Sequence, residues 1–128
     1  MKLRKVHHIA IIASDYEKSK EFYTEILGLE VLAEHYREAR ESYKLDLALN
    51  GEYLIELFSF PDYVKRPSYP EACGLRHLAF AVDNVESALE ELQKKDVKTT
   101  ELRVDEYTNK KMAFFFDPDE LPLELYEI

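Results

Sequence analysis

The sequence predicts an α+β fold built from two tandem βαβββ modules, and two observations lead there. First, a His and Glu pair occurs twice at nearly the same interval: 48 positions separate His8 from Glu56, and 47 separate His77 from Glu124. The flanks repeat as well, His8-Ile-Ala-Ile against His77-Leu-Ala-Phe and Ile55-Glu56-Leu57 against Leu123-Glu124-Leu125. Second, the hydrophobic periodicity of each half reads strand, helix, strand, strand, strand. The modules are assigned to residues 1–60 and 75–128, joined by a linker at 61–74 within one domain of residues 1–128. A chain of 128 residues favours one domain.

In the first module, residues 5–13 alternate in the manner of a strand. Val6, His8, Ala10 and Ile12 fall on one face; His7, Ile9, Ile11 and Ala13 fall on the other. Ser14 or Asp15 opens a helix, and Ser14 with Glu17 has capping-box spacing. Tyr16, Ser19, Tyr23 and Ile26 follow helical spacing, and Gly28 suits the helix C-terminus. Leu29 to Glu34 and Asp46 to Leu49 read as strands. Asn50-Gly51 is a hairpin turn signal, and Glu52 to Phe60 follows as a strand. Pro61, Pro67 and Pro70 mark the linker. In the second module Arg76 to Val82 is a strand, and Asp83 caps a helix carrying Val85, Ala88, Leu89 and Leu92 on one face. Val97 to Arg103, Lys111 to Phe116 and Leu121 to Tyr126 complete the strands, with a turn at Asp117-Pro118-Asp119.

Composition narrows the function. The chain has 17 Lys and Arg against 26 Asp and Glu, a net charge of −9. Nucleic acid and anionic membrane surfaces both ask for a basic patch, so neither is an expected partner. No apolar run approaches the ~18 residues of a membrane-spanning helix. The N-terminal Lys2, Arg4 and Lys5 lead into histidines rather than a signal peptide. Cys73 is the single cysteine, which excludes an internal disulfide and fits a cytoplasmic location. With three glycines, no phosphate-cradling loop and no Gly-x-Ser-x-Gly elbow can be written.

On all four strands the neighbours of His8, Glu56, His77 and Glu124 place an apolar face opposite the His or Glu. Two imidazoles and two carboxylates at equivalent repeat positions are a ligand set for one divalent metal ion. Zinc and nickel are the leading expectations, with cobalt, manganese and iron compatible. His7 reads as a structural residue of the apolar face and His35 as a solvated loop residue. Arg37, Arg40, Lys44 and Arg76 are candidates for holding an anionic group. Phe58 and Phe60 share the face of Glu56 and suit an apolar wall for substrate. Cys73 reads as an inert loop thiol.

Taken together, these motifs resemble the vicinal oxygen chelate (VOC) superfamily, and within it glyoxalase I. The resemblance runs through His8-Ile-Ala-Ile, Phe22-Tyr23, Ile26-Leu27-Gly28, Ile55-Glu56-Leu57, Gly74-Leu75-Arg76-His77-Leu78-Ala79-Phe80, Asp117-Pro118-Asp119 and Leu123-Glu124-Leu125. Tyr36-Arg37-Glu38-Ala39-Arg40 and the run from Arg66-Pro67 to Cys73-Gly74 are similar to small bacterial glyoxalase-like proteins of unsettled substrate. The resemblance implies curved mixed sheets around a metal site, held by His8, Glu56, His77 and Glu124. It implies a lyase that converts a hemithioacetal of a 2-oxoaldehyde and a thiol into a 2-hydroxyacyl thioester, with Glu124 as catalytic base and Glu56 as the second carboxylate. It implies a homodimer, with the metal either within one chain or between two. Other members suggest other readings: a thiol transferase, an epimerase, a dioxygenase, or a non-catalytic small-molecule binding or resistance protein.

Some positions depart from the glyoxalase I pattern. An Arg four residues after the first ligand His and an Asn four after the first ligand Glu help bind glutathione in bacterial members; Ile12 and Phe60 stand there in this chain. Apolar groups cannot replace those hydrogen bonds, so a different low-molecular-weight thiol or another small oxygen-bearing substrate is expected. The usual Asp-Pro-Asp-Gly turn ends in Glu120.

Overall fold

A computed structural model describes residues 1–128. The chain divides into two compact units, Met1–Lys65 and Arg66–Ile128. Each has the expected βαβββ order and one four-stranded mixed sheet. Unit 1 contains β1 (Ile9–Ala13), α1 (Tyr16–Glu21), β2 (Glu30–Arg37), β3 (Ser42–Leu49) and β4 (Glu52–Ser59). Unit 2 contains β5 (Leu78–Val82), α2 (Val85–Lys94), β6 (Arg103–Val104), β7 (Lys111–Phe116) and β8 (Pro122–Glu127). The sheet orders are β1-β4-β3-β2 and β5-β8-β7-β6.

In both units the first strand runs parallel to the last, and the other pairings are antiparallel. The parallel pairing sets the registers Ala10↔Glu56 and Ala79↔Glu124. His8 and His77 lie two residues before those alanines, hence on the same side as the paired glutamate. Both histidines fall just outside the strands, because β1 and β5 begin at Ile9 and Leu78 rather than at residues 5 and 76. The chain before His8 is exposed and unpaired, so alternation continued in the sequence where no partner strand continued in the sheet.

Opposite the glutamates the sheets are apolar. Leu45, Leu47, Ile55 and Leu57 are fully buried in unit 1, together with Phe22 and Tyr23 from the helical segment. Val85, Leu89 and Leu92 of α2 are buried in unit 2 with Ala113, Phe115, Leu123 and Leu125. Each buried leucine contributes about 2 kcal/mol of hydrophobic stabilisation. Asp15 caps α1 by accepting from Lys18 N at 3.2 Å, so Asp15 rather than Ser14 takes the role. Asn84 rather than Asp83 caps α2, accepting from Ser87 N at 2.8 Å. Past Glu21 the helix widens into a π-turn over Phe22–Ile26. It ends at Gly28, whose φ of +76° suits a residue without a Cβ.

Two strands contain bulges. Between Leu47 and Ala48 the β3–β4 register shifts by one residue, leaving Leu54 as an extra residue on β4. The β2–β3 register shifts in the same way at Leu32. β6 is two residues long, preceded by a lone bridge from Thr99 to Phe115, so the strand expected over 97–103 is mostly irregular. Residues 61–74 have no regular structure.

The turn before β8 closes on the Asp117 carboxylate, whose Oδ1 accepts from Asp119 N and Leu121 N, both at 2.9 Å. Glu120 completes this turn with φ +64°, a conformation that costs a side chain-bearing residue about 1 kcal/mol. Its exposed pairing with Lys98 at 3.1 Å offsets little of that. Glu120→Gly is therefore expected to raise stability by about 1 kcal/mol, read as a higher urea midpoint; an unchanged or lower midpoint would refute the strain.

Candidate functional site

The structure brings the four expected ligands together two by two, one pair in each unit. His8 Nε2 lies 3.8 Å from Glu56 Oε2. His77 Nε2 lies 2.9 Å from Glu124 Oε2. Two donors bound to one divalent ion at about 2.0–2.2 Å stand roughly 3.0–3.4 Å apart, so the His77–Glu124 pair is near that spacing and the His8–Glu56 pair is wider than it. No group of three or more His, Cys, Asp or Glu side chains gathers in metal-binding geometry. Exposed Ala10 and Ala79, directly beside the glutamates, leave room on the face of the His–Glu pairs.

The two carboxylates differ in their surroundings. Glu56 belongs to a polar cluster: its Oε2 accepts from Tyr53 Oη at 3.0 Å and lies 3.4 Å from Lys44 Nζ. The same two groups bond Asp46 Oδ1, at 2.9 Å from Tyr53 and 2.7 Å from Lys44. The Tyr53 ring also lies 5.1 Å from the His8 ring. Burial pushes the Tyr53 hydroxyl pKa well up, and hydrogen bonds to Asp46 and Glu56 add to the rise, so the proton stays on Tyr53. Glu124 is 6% exposed, and His77 is its polar side-chain partner. Phe114 pairs with Glu124 across the sheet and meets the His77 ring edge-on at 5.2 Å.

Tyr53 is a site residue that strand alternation misses. Counting by twos places it with Ile55 on the core face. The bulge at Leu54 resets the phase, so that Tyr53 pairs with Ala48 and reaches the carboxylates of Asp46 and Glu56. No turn or charge signal in the sequence marks this bulge. Other expectations change as well. His7 is exposed, with Nδ1 2.8 Å from His8 Nδ1, and has no place in the apolar core. His35 is exposed but belongs to β2 rather than to a loop.

Among the substrate-binding candidates, Phe58 and Phe60 stack with centroids 5.6 Å apart. The Arg37 guanidinium lies over both rings. Arg40 is exposed at the end of the short turn Glu38–Arg40. Arg76 pairs with Glu71 at 2.9 Å. Lys44 is committed to Asp46 and Glu56. Ile12 is 55% exposed and pairs with Phe58, which makes that strand position apolar and open. Cys73 is exposed.

The comparisons agree with this architecture. The family model for the Glyoxalase/Bleomycin resistance protein/Dioxygenase superfamily matches residues 5–125. The chain is 61% identical over 127 residues to the uncharacterized protein YwkD of Bacillus subtilis (strain 168), covering 99% of each. It is 30% identical over 146 residues to lactoylglutathione lyase of Schizosaccharomyces pombe (strain 972 / ATCC 24843), covering 98% of this chain and 48% of that protein. The crystal structure of a glyoxalase family protein from Enterococcus faecalis superposes with a TM-score of 0.92 at 51% identity, covering 99% of this chain and 100% of that one. The chain belongs to the Glyoxalase/Bleomycin resistance protein/Dioxygenase superfamily. No helix is long and apolar enough to cross a membrane.

The polar cluster carries a pH signature. Burial by itself would raise the Asp46 pKa, but the hydrogen bonds from Lys44 and Tyr53 hold it below its ordinary value of 3.8. Between the two values the unfolded chain binds more protons, so this carboxylate stabilises the fold above pH 3.8. That contribution is lost as pH falls through the lower, folded value. Urea midpoints measured from pH 6 to pH 3 are expected to fall less steeply in Asp46→Asn than in the parent. Parallel curves would remove Asp46 from the account.

Proposed function

We propose that the protein is a divalent-metal-dependent lyase of the glyoxalase I type. Its substrate would be the hemithioacetal of a 2-oxoaldehyde and a small thiol, or a related small molecule with two adjacent oxygens. The observation that carries this reading is the matched pair of His–Glu couples, set by the same parallel register in both units. Likeness to a lactoylglutathione lyase over nearly the whole chain supports it. His8, Glu56, His77 and Glu124 would hold the metal, with zinc or nickel the best match to the donors. The metal would supply Lewis acidity toward the two adjacent substrate oxygens.

The protein's own groups divide the remaining work. Glu124, paired to His77 among apolar neighbours, takes the proton from the carbon beside the carbonyl on its free oxygen and returns it to the adjacent carbon. Glu56 is held by Tyr53 and Lys44 and serves as the fixed carboxylate. Ile12 and Phe60 present apolar surface where glutathione would need hydrogen bonds, which favours a thiol other than glutathione. The working form is a cytoplasmic homodimer in which the two modules make one domain.

His77→Ala is expected to remove most of the bound metal while leaving the circular dichroism spectrum unchanged. Elemental analysis of the purified variant checks this, and full metal occupancy would sink the ligand assignment. Glu124→Gln is expected to lower kcat by about 10²–10⁴-fold with a much smaller change in substrate affinity. Equal losses in both would remove Glu124 as the base.

A further inference from the structure

The Arg37 side chain is held in place without an ionic partner. Its Nη2 donates to Ser42 Oγ at 2.9 Å, and Ser42 is fully buried. The guanidinium carbon lies 4.9 Å from the Phe58 ring centroid and 5.8 Å from that of Phe60, within cation–π range. Its Nε is shut off from solvent and has no hydrogen-bond partner. No carboxylate pairs with it, in a chain with 26 acidic residues against 17 basic ones. Lys18, Lys20, Lys44, Arg76, Lys98 and Lys111 each have a carboxylate within reach, whereas Arg40 and Arg66 also lack one; what marks Arg37 is a fixed seat over two rings beside the Glu56 face. The Nε is closed to solvent, so an acceptor arriving from outside would meet the terminal nitrogens of the guanidinium, where the charge has no carboxylate to pair with.

The location fits substrate. Arg37 pairs with Ser42 across β2 and β3, on the sheet face that carries Lys44, Glu56 and Phe58. Phe58 follows Glu56 by two residues, about 7 Å along the strand. Exposed Ile12 pairs with Phe58 on the neighbouring strand. An apolar shelf thus leads from Glu56 toward a guanidinium. We propose that Arg37, seated on Phe58 and Phe60 and fixed by Ser42, is a carboxylate-binding subsite, and that the natural substrate carries a carboxylate on a short apolar stem. As a subsite for substrate this rests on the lyase-type reading of the Glu56 face; as an anion site it stands alone.

Binding is tested first, on the metal-free protein, with probes that cannot react. Methylthiopropionate carries the carboxylate, and methylthiopropanol is its uncharged counterpart. Amide signals of Arg37, Ser42, Phe58 and Phe60 are expected to shift with the carboxylate and not with the alcohol. Arg37→Gln should weaken carboxylate binding about tenfold or more, Arg37→Lys should fall between, and Lys94→Gln, the same charge change on an exposed helix end, should match the parent. The Lys variant guards against a folding defect. Equal binding of both probes, or undiminished carboxylate binding in Arg37→Gln, overturns the subsite.

Turnover then separates the two ideas, using metal-loaded protein and methylglyoxal hemithioacetals of mercaptopropionate and mercaptoethanol. The parent is expected to prefer the acidic thiol about tenfold in kcat/KM, and Arg37→Gln to lose that preference. Arg37-dependent binding with no turnover of either thiol sinks the lyase reading and leaves the subsite standing. Turnover without charge preference sinks the subsite and leaves the lyase.

Discussion

The parallel pairing of the first and last strand in each unit is the constraint on which the candidate chemistry depends. It is the one contact that joins the two ends of a βαβββ unit, and it alone sets a histidine beside a glutamate nearly fifty residues away. A slip of one residue would turn Glu56 or Glu124 into the core and a leucine toward the ligand face. The packing opposite resists that slip. Ile55, Leu57, Leu123 and Leu125, which flank the two glutamates, are buried, so the register of the His–Glu pairs is held by the same side chains that make the core. Stability and the geometry of these pairs are properties of one set of residues.

Upon this shared frame the two units have diverged. The residue across the sheet from Glu56 is Asp46, and the residue across from Glu124 is Phe114. One substitution type changes everything nearby. Asp46 draws in Lys44 and Tyr53, which also bind Glu56 and hold it. Phe114 brings no hydrogen bond and leaves Glu124 with His77. Two carboxylates that look interchangeable in sequence are thus prepared differently, one anchored by Tyr53 and Lys44 and one set between His77 and Phe114.

Much of this was legible in the chain itself. The duplication, the βαβββ order and the Asn50-Gly51 turn follow from spacing and alternation. The two His–Glu pairs follow from parity, because a period of two is robust over short, half-buried strands. The missed features share one physical origin: they depend on a partner that local sequence does not name. Val6 to His8 alternates well but has no strand to pair with. Residues 97–102 look strand-like, yet the ladder in that region narrows to one bridge and a two-residue strand. Asn84 displaced Asp83 as a cap because the helix begins one residue later than its acidic signal suggests. Tyr53 sits on the ligand face because of a register shift that only β3 can reveal. Arg37 was a candidate among several cations, and only its neighbours set it apart from Arg40.

The bulge at Leu54 also bears on how such a duplicated chain can vary. A hairpin that gains a residue would ordinarily rotate every side chain beyond the insertion. Here the additional residue is absorbed between the turn and Glu56, so that the phase error ends before it reaches the ligand. The segment from Asn50 to Leu54 therefore acts as a buffer for length: the hairpin of the second unit has no such bulge, and both glutamates still head to the same side as their histidines.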